Sequence, residues 1–249
     1  MKLAQDFLVG IPVLRFDDRL TRARQILRDD RFREVYVVDA RGRLTGYVDI
    51  TDALRLTATK SEVTLEGFVK DAAEAGKEDT LEQVARKIHS RNTDSAVIID
   101  SERAIVGAIL LSDIFPVIIS RNELHGSVED YMSRRVVVAQ VTDTVQHIHA
   151  LIIESGYSAF PVVQKKKLVG IISRRDLLGA GRVRTALARA TRTPVGDMME
   201  KNVITTSPGE EVSTAAKLLV SYDVSRLPVM DDGNLVGILG RHDALTGLT

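Results

Sequence analysis

The chain has no cysteine and no tryptophan, and aromatic residues make up only 4% of its 249 positions. The missing cysteine removes disulfides, thiolate metal sites and cysteine nucleophiles together. A surplus of one charge is missing as well: 34 basic side chains balance 34 acidic ones, for a formal net charge of zero. A protein that wraps nucleic acid needs a basic surplus, so no nucleic acid is expected as a partner. No apolar run approaches the ~20 residues that span a bilayer, so no membrane is expected either. The amino terminus, MKLAQDFLVG, carries Asp6 and no long apolar core, and is not expected to be a secretory signal. A soluble cytoplasmic protein is the expectation, long enough to bury the core of one large domain or two of ordinary size.

What the chain does contain is repetition. Four stretches align: GYVDITDAL from Gly46, GAILLSDIF from Gly107, GIISRRDLL from Gly170 and GILGRHDAL from Gly237. Six residues after each glycine stands an aspartate: Asp52, Asp113, Asp176 and Asp243. Ahead of the glycines lie VYVVDARGRLTG, AVIIDSERAIVG, AFPVVQKKKLVG and RLPVMDDGNLVG. Each reads as two short β runs about a polar turn, which is a hairpin signature. Farther upstream, apolar residues recur at helical spacing. These are Leu20, Ala23, Ile26 and Leu27; Leu81, Val84, Ala85 and Ile88; Val145, Ile148, Leu151 and Ile152; and Val212, Ala215, Ala216 and Leu219.

In the last two copies the match extends to Val128-Glu129-Asp130-Tyr131-Met132 and Val195-Gly196-Asp197-Met198-Met199, offset by 67 residues. The unit is a short strand, a helix, a hairpin and a closing helix, a mixed α/β (α+β) pattern. One such unit leaves a small sheet with an uncovered apolar face, so units are expected to pair.

The β-α-β-β-α order, the V-x-D-h-M lead-in, the Pro-Val strand and the G-h-h-S-x-x-D ending resemble the cystathionine β-synthase (CBS) domain. The resemblance covers nearly the whole chain as four tandem copies, expected over 1–60, 61–124, 125–181 and 182–249. It is looser in copy two, where KDAAEAGKEDT takes the place of the usual first strand. In that family two copies form a Bateman module, here expected over 1–124 and 125–249. Four copies in one chain are similar to the regulatory gamma subunit of AMP-activated protein kinase and to stand-alone prokaryotic CBS proteins. The resemblance implies a non-catalytic, energy-sensing regulatory protein without a required cofactor. Its ligand would be an adenine nucleotide (AMP, ADP or ATP), its partner an unidentified regulated protein, and a homodimer stays open.

The recurrent aspartate has two readings. Ser173-x-x-Asp176 fits a capping box, and an acid in the first turn favours the helix dipole by ~0.3–1 kcal/mol. Yet the position of Ser173 is Asp49, Leu110 and Gly240 in the other copies, so the aspartate recurs while its capping partner varies. The second reading, implied by the resemblance, puts the aspartate on the ribose of the nucleotide. Arg174, Arg175 and Asp176 in copy three, and Arg241, His242 and Asp243 in copy four, would then face the ligand. Arg226, aligned with Val35, Ala96 and Ala159, falls where the family contacts phosphate; its plain alternative is a strand-edge arginine. The adenine slot implied is Val137, Tyr157, Ala159 and Pro161 in copy three, and Ile204, Val224 and Pro228 in copy four. Strand residues beside a hairpin are commonly buried, so most of these also read as core. Copies one and two offer less: Leu110 gives a phosphate nothing, and Asp49 beside Asp52 adds like charge. Ligand binding is expected in copies three and four, a scaffold role in one and two.

Other signals carry less. Lys165, Lys166 and Lys167 sit in a hairpin turn, where solvation accounts for them. The stretch 181–194, with Arg182, Arg184, Arg189 and Arg192, reads as a basic linker helix or as a docking strip for an acidic partner. His147 and His149 lie two apart on a helix and share no face, so no metal pair is expected. A sensor of S-adenosylmethionine or NAD is the alternative ligand class. A small nucleotide-processing enzyme is the alternative activity, and His242 is its only acid–base candidate.

Overall fold

The computed structural model describes residues 2–29, 31–56, 62–121, 124–179 and 193–248. The four arginines of the basic linker, Arg182 to Arg192, lie outside the described residues. The chain divides into two compact units, Met1–Ile114 with Leu178–Arg184, and Phe115–Leu177 with Thr185–Thr249.

The first unit holds two repeats. Repeat 1 runs β1 (Val13–Arg15), α1 (Leu20–Ile26), β2 (Glu34–Val38), β3 (Leu44–Asp49) and α2 (Ile50–Leu54). Repeat 2 runs β4 (Ala73–Glu74), α3 (Leu81–Arg91), β5 (Ser95–Ile99), β6 (Ile105–Leu110) and α4 (Leu111–Ser120), and the boundary between the units falls inside α4. The second unit opens with α5 (Val128–Tyr131), followed by β7 (Ala139–Gln140), α6 (Val145–Ser155), β8 (Ala159–Gln164), β9 (Lys167–Ser173) and α7 (Arg174–Gly179). Repeat 4 supplies α8 (Val212–Ser221), β10 (Arg226–Asp231), β11 (Asn234–Gly240) and α9 (Arg241–Leu245).

Repeats 1 to 3 each form a three-stranded sheet, the first strand parallel to the second and the second antiparallel to the third. In repeat 4 the first strand shrinks to a single parallel bridge from Thr206 to Val229 beside the β10–β11 hairpin. The KDAAE stretch of copy two still supplies its strand, because Ala73 and Glu74 pair with Ala96 and Val97. The helices bury the faces their apolar spacing marks out, with exceptions at Leu151 in α6, which is half-buried, and in α1. There Ile26 is only half-buried while Arg24 is buried, its Nη1 donating to the Leu56 carbonyl at 2.6 Å.

The repeats pair by exchanging their lead-in segments. Ahead of each first strand the chain makes a short turn of helix: Ala4–Phe7, Glu66–Phe68, α5, and Val195–Asp197. A residue two or three positions beyond the turn then forms a two-bond antiparallel bridge with the neighbouring repeat's hairpin. Val9 pairs with Ala108 (2.9 and 3.1 Å), Lys70 with Tyr47 (both 2.9 Å), Ser133 with Ile238 (2.9 and 3.0 Å), and Glu200 with Ile171 (both 2.9 Å). The hairpin partner is always the residue after the recurrent glycine. The lead-in, recognised in the sequence for copies three and four, is therefore present in all four, with Asp6-Phe7-Leu8 and Gly67-Phe68-Val69 as degenerate forms.

The bridge explains the glycine. A Cβ at Gly107 would stand 2.9 Å from the Val9 carbonyl oxygen, at Gly170 3.0 Å from that of Glu200, and at Gly237 3.3 Å from that of Ser133. At Gly46 it would stand 2.1 Å from the Lys70 carbonyl oxygen, on a φ of +152°. The first unit's core also joins both repeats: Tyr36, Leu44 and Tyr47 pack with Val97 and Ala108.

Gly46→Ala is expected to destabilise the first unit by at least about 2 kcal/mol, because backbone stands in the way of the new methyl. Gly10→Ala is the control; nothing lies within 4 Å of a Cβ there, and its change is expected within about 0.5 kcal/mol. Urea unfolding followed by circular dichroism measures both; equal midpoints would contradict the glycine's role.

Candidate functional site

The recurrent aspartates stand at the first turn of a closing helix, and three of them use the same bond. Asp52 Oδ2 accepts the Asp49 N–H at 3.0 Å, Asp176 Oδ2 the Ser173 N–H at 2.7 Å, and Asp243 Oδ2 the Gly240 N–H at 2.7 Å. The donor is a backbone group, present whatever side chain occupies the cap. Variation among Asp49, Ser173 and Gly240 therefore does not count against capping, contrary to the expectation from sequence. Ser173 adds the reciprocal arm, its Oγ 2.8 Å from Asp176 Oδ2 and accepting the Asp176 N–H at 3.3 Å. Asp113 is different: it is exposed, and its side chain meets Ser112 Oγ at 3.2 Å.

In the second unit one arginine crosses from repeat 4 to repeat 3. Arg226, the first residue of β10, donates from Nε to Ser158 Oγ at 3.2 Å and from Nη1 to Asp243 Oδ2 at 3.3 Å. It lies over Gly240, its cross-strand partner in the hairpin, where a Cβ would stand 2.2 Å from Nη1. Arg226 and Gly240 each occur in copy four alone, and they are paired in register. That pairing was the sequence signal for the seat, and reading Gly240 only as a variable cap missed it. The guanidinium and the carboxylate remain about 28% and 29% exposed, open to water and to a ligand.

Arg241 goes elsewhere. It is buried, at 8% exposure, and donates from Nη2 to Asp223 at 2.9 Å and to the Leu219 carbonyl at 3.5 Å, over the C-terminal end of α8. Residues two apart on a helix point in nearly opposite directions, so Arg241 and Asp243 do not share a face. Its counterparts Ile50 and Leu111 in the first unit are buried apolar residues and Arg174 in repeat 3 is half-buried; Arg241 takes the buried place while satisfying an end-of-helix carbonyl. Arg241, expected to face the ligand beside Asp243, is turned onto the end of α8 instead.

Arg174, Arg175 and His242 are half-buried, and the Arg174 N–H donates to the Ser158 carbonyl at 2.9 Å. Of the expected adenine slot only Pro161 and Pro228 are buried. Ala159, Ile204 and Val224 are half-buried, whereas Val137 and Tyr157 are exposed at 37% and 45%. Two large apolar side chains thus face water in repeat 3, where burial beside a hairpin would predict core. Tyr157 leans on Phe160, ring centroids 6.2 Å apart.

The first unit treats the same positions differently. Lys70, from the repeat 2 lead-in, places Nζ 3.0 Å from Asp49 Oδ2 and 2.6 Å from Asp52 Oδ2, and lies over the Tyr47 ring. The like charge anticipated at Asp49 and Asp52 is thereby answered from within the unit. Burial, then the Asp49 charge, still hold Asp52 above the usual carboxylate range, with Lys70 pulling the other way. A groove of about 560 Å³ beside α1, lined by Asp17, Asp18, Arg22 and Arg28 among others, contains none of these residues. Among the described residues no group of three or more His, Asp or Glu is placed to hold a metal ion, and no helix is long and apolar enough to cross a membrane.

Lys70→Met leaves Asp49 and Asp52 as neighbouring carboxylates without their cation. Breaking a fully buried pair costs roughly 3–5 kcal/mol, and the partial exposure of Lys70 reduces this to about 1–2 kcal/mol at neutral pH. Without the lysine the folded-state pKa of Asp52 rises further, so the loss is felt above that pKa and shrinks as the carboxylates protonate in acid. Denaturant unfolding of both proteins across the acid range measures the gap; a gap that widens in acid would contradict it.

Comparison with known proteins bears on all four repeats. The CBS domain family matches residues 9–58, 128–182 and 195–249, leaving out repeat 2, whose lead-in and first strand are the most divergent. A CBS domain-containing protein of Bacillus subtilis, YhcV, is 32% identical over 117 residues, covering 47% of this chain and 81% of that one. MJ1225 of Methanocaldococcus jannaschii is 25% identical over 174 residues; the match spans 66% of this chain and about three fifths of that protein, 62%. Its crystal structure, described as a proposed archaeal homologue of the gamma subunit of AMP-activated protein kinase, superposes with a TM-score of 0.83 at 18% identity over 98% of this chain and 99% of that one. A conserved Pyrococcus horikoshii protein superposes with a TM-score of 0.70 at 22% identity over the full length of both. The fold is that of tandem CBS pairs, and the chain belongs to the CBS domain family.

Proposed function

We propose that the chain is a non-catalytic regulatory protein whose second unit binds an adenine nucleotide, AMP, ADP or ATP, and whose occupancy is read by a partner protein. The observation that carries this reading is the Arg226–Asp243 pair over Gly240. It sets one anionic acceptor beside one cationic donor, both part-exposed, at the junction of two repeats. A carboxylate accepts both hydroxyls of a ribose diol, and a guanidinium grips a phosphate, each charge-assisted bond being worth ~1.5–3 kcal/mol. With no ligand the two groups satisfy each other. A ligand that takes Asp243 must therefore offer Arg226 a new anion, and this favours a nucleotide over a neutral nucleoside or a cationic sulfonium compound. Val137 and Tyr157, exposed without a ligand, supply an apolar and an aromatic surface for the base in repeat 3. Ala159, Pro161, Ile204, Val224 and Pro228 would complete the two slots, and Ser173, Arg174, Arg175, Asp176 and His242 would frame the sugar and phosphate positions. Arg241 is left with a structural part. In the first unit Lys70 occupies the aspartates, so repeats 1 and 2 serve as scaffold.

Calorimetry with AMP, ADP, ATP, NAD, adenosine and S-adenosylmethionine tests the reading. AMP, ADP or ATP is expected to bind more tightly than adenosine or S-adenosylmethionine, and the reverse order would overturn it. A nucleotide at 100 times its dissociation constant is expected to stabilise its unit by about 2.7 kcal/mol.

Arg226→Met separates binding from capping, because Arg226 holds no helix end and its part-exposed pair is worth at most about 1 kcal/mol. It is expected to weaken AMP by roughly 10- to 100-fold while leaving adenosine nearly unchanged. Asp243→Ala and Asp176→Ala are expected to lose AMP as well, besides about 1 kcal/mol of stability from the lost cap, and Asp113→Ala to keep it. AMP affinity unchanged in all four folded variants would return these residues to a purely structural role.

A further inference from the structure

The first unit carries a group that neither pairing nor nucleotide binding accounts for. Glu34 opens β2, and at the equivalent positions Ser95, Ser158 and Ser225 the other repeats carry a serine. Only repeat 1 puts a carboxyl group there, and it is only 6% exposed. Its Oε1 accepts the Asp94 N–H at 2.7 Å, and its Oε2 lies against Ser95 Oγ, so both oxygens are held by repeat 2. Ser95 Oγ is in turn 2.8 Å from Tyr36 Oη, which gives a relay of three side chains running from repeat 1 to repeat 2 and back.

We propose that the junction of repeats 1 and 2 is a proton-binding site, in which the Glu34 carboxyl group takes up a proton to hold the two repeats together and releases it to loosen them.

The surrounding charges point one way. From the segment before β5 comes Asp94, and from the end of β3 comes Asp49, both of the same sign as an ionised Glu34. Beyond Asp49 lies Asp52 at the start of α2, and the lysine that answers these two carboxylates, Lys70, makes no ion pair with Glu34. Among the described residues the phenols of Tyr36 on β2 and Tyr47 on β3 also feel the Glu34 charge, and burial and that charge hold both above their ordinary range. They stay uncharged and can only donate or accept a hydrogen bond.

Burial first, then Asp94, push Glu34 from 4.5 up to about 8. When protonated, Glu34 donates to Ser95 Oγ, whose own hydrogen passes to Tyr36 Oη. When ionised, Ser95 must donate to Glu34 and Tyr36 to Ser95, and the relay reverses around a buried charge with acidic neighbours. The unfolded chain ionises near the ordinary value. The stabilisation from the neutral group is therefore complete below that value and is lost as the pH rises through about 8. The pair is firm below a pH of about 4.5 and weakens progressively from there to about 8.

Carbon-13 carboxyl resonances of the full chain, with Glu34 assigned by its loss in Glu34→Gln, give the test. The Glu34 midpoint is expected between about 7 and 9; a midpoint in the ordinary glutamate range near 4.3 would overturn the proposal. Amide exchange of β2 and β5, taken relative to Glu34→Gln at each pH, is expected to accelerate on going from pH 6 to pH 9. A ratio that stays constant would show that the proton does not hold the repeats. Should Glu34→Gln fail to fold, Ser95→Ala assigns the same resonance by displacing it, and the wild-type titration decides.

Discussion

A short length of extended chain laid across a glycine holds each pair of repeats together. It supplies two backbone hydrogen bonds, but its larger effect is geometric, because the lead-in carbonyl and the side chain just before it crowd the recurrent glycine, where a Cβ would stand 2.1 to 3.3 Å from the carbonyl oxygen. The contact is made twice in each unit, once in each direction, so neither repeat completes its hairpin face without the other. A repeat alone would leave the lead-in bridge unmade and its share of the Tyr36, Tyr47, Val97 and Ala108 core exposed. The recurrent glycine is thus explained by the approach of a neighbouring backbone more than by conformational freedom. Only Gly46 also carries a positive φ.

That shared frame brings the same three positions to the junction in each unit: the residue at or just before the start of the second strand, the residue after it, and the cap of the closing helix. What stands at those positions differs. In the first unit they carry Glu34, Val35 and Asp49 against Ser95, Ala96 and Leu110, and the charges are met internally by Lys70, the Asp94 amide and Ser95. In the second they carry Ser158, Ala159 and Ser173 against Ser225, Arg226 and Gly240, and a guanidinium folds over the bare cap. One backbone therefore supports a closed, acid-lined junction and an open one with paired charges. The difference follows from side-chain volume and sign at a few sites.

The aspartates show how a sequence pattern can be sound and the inference from it too strong. Their recurrence with a varying cap residue looked like evidence against capping, because capping is usually judged by pairs of side chains. The bond that recurs runs from a side chain to a backbone N–H, and backbone groups leave no trace in residue identity. Arg241 makes the complementary point. Its place beside His242 and Asp243 in the sequence suggested a shared face, whereas the helix turns it away onto the end of α8. Arg226, seventeen residues upstream of Asp243, is the residue that meets it.

The sequence by itself determined the repeat, the order of strands and helices, the hairpins and the pairing of copies one with two and three with four. Each of these is written in local periodicity and in the spacing of glycine and aspartate. Most of the helix faces were legible for the same reason. Only the tertiary structure decided which charges meet. The seating of Arg226 on Gly240, the reach of Lys70 across to Asp49 and Asp52, and the burial of Glu34 against Ser95 join residues that are separated along the chain or lie in different repeats. Such contacts depend on distances of a few ångströms fixed by packing, and packing is a property of the whole fold that periodicity does not carry.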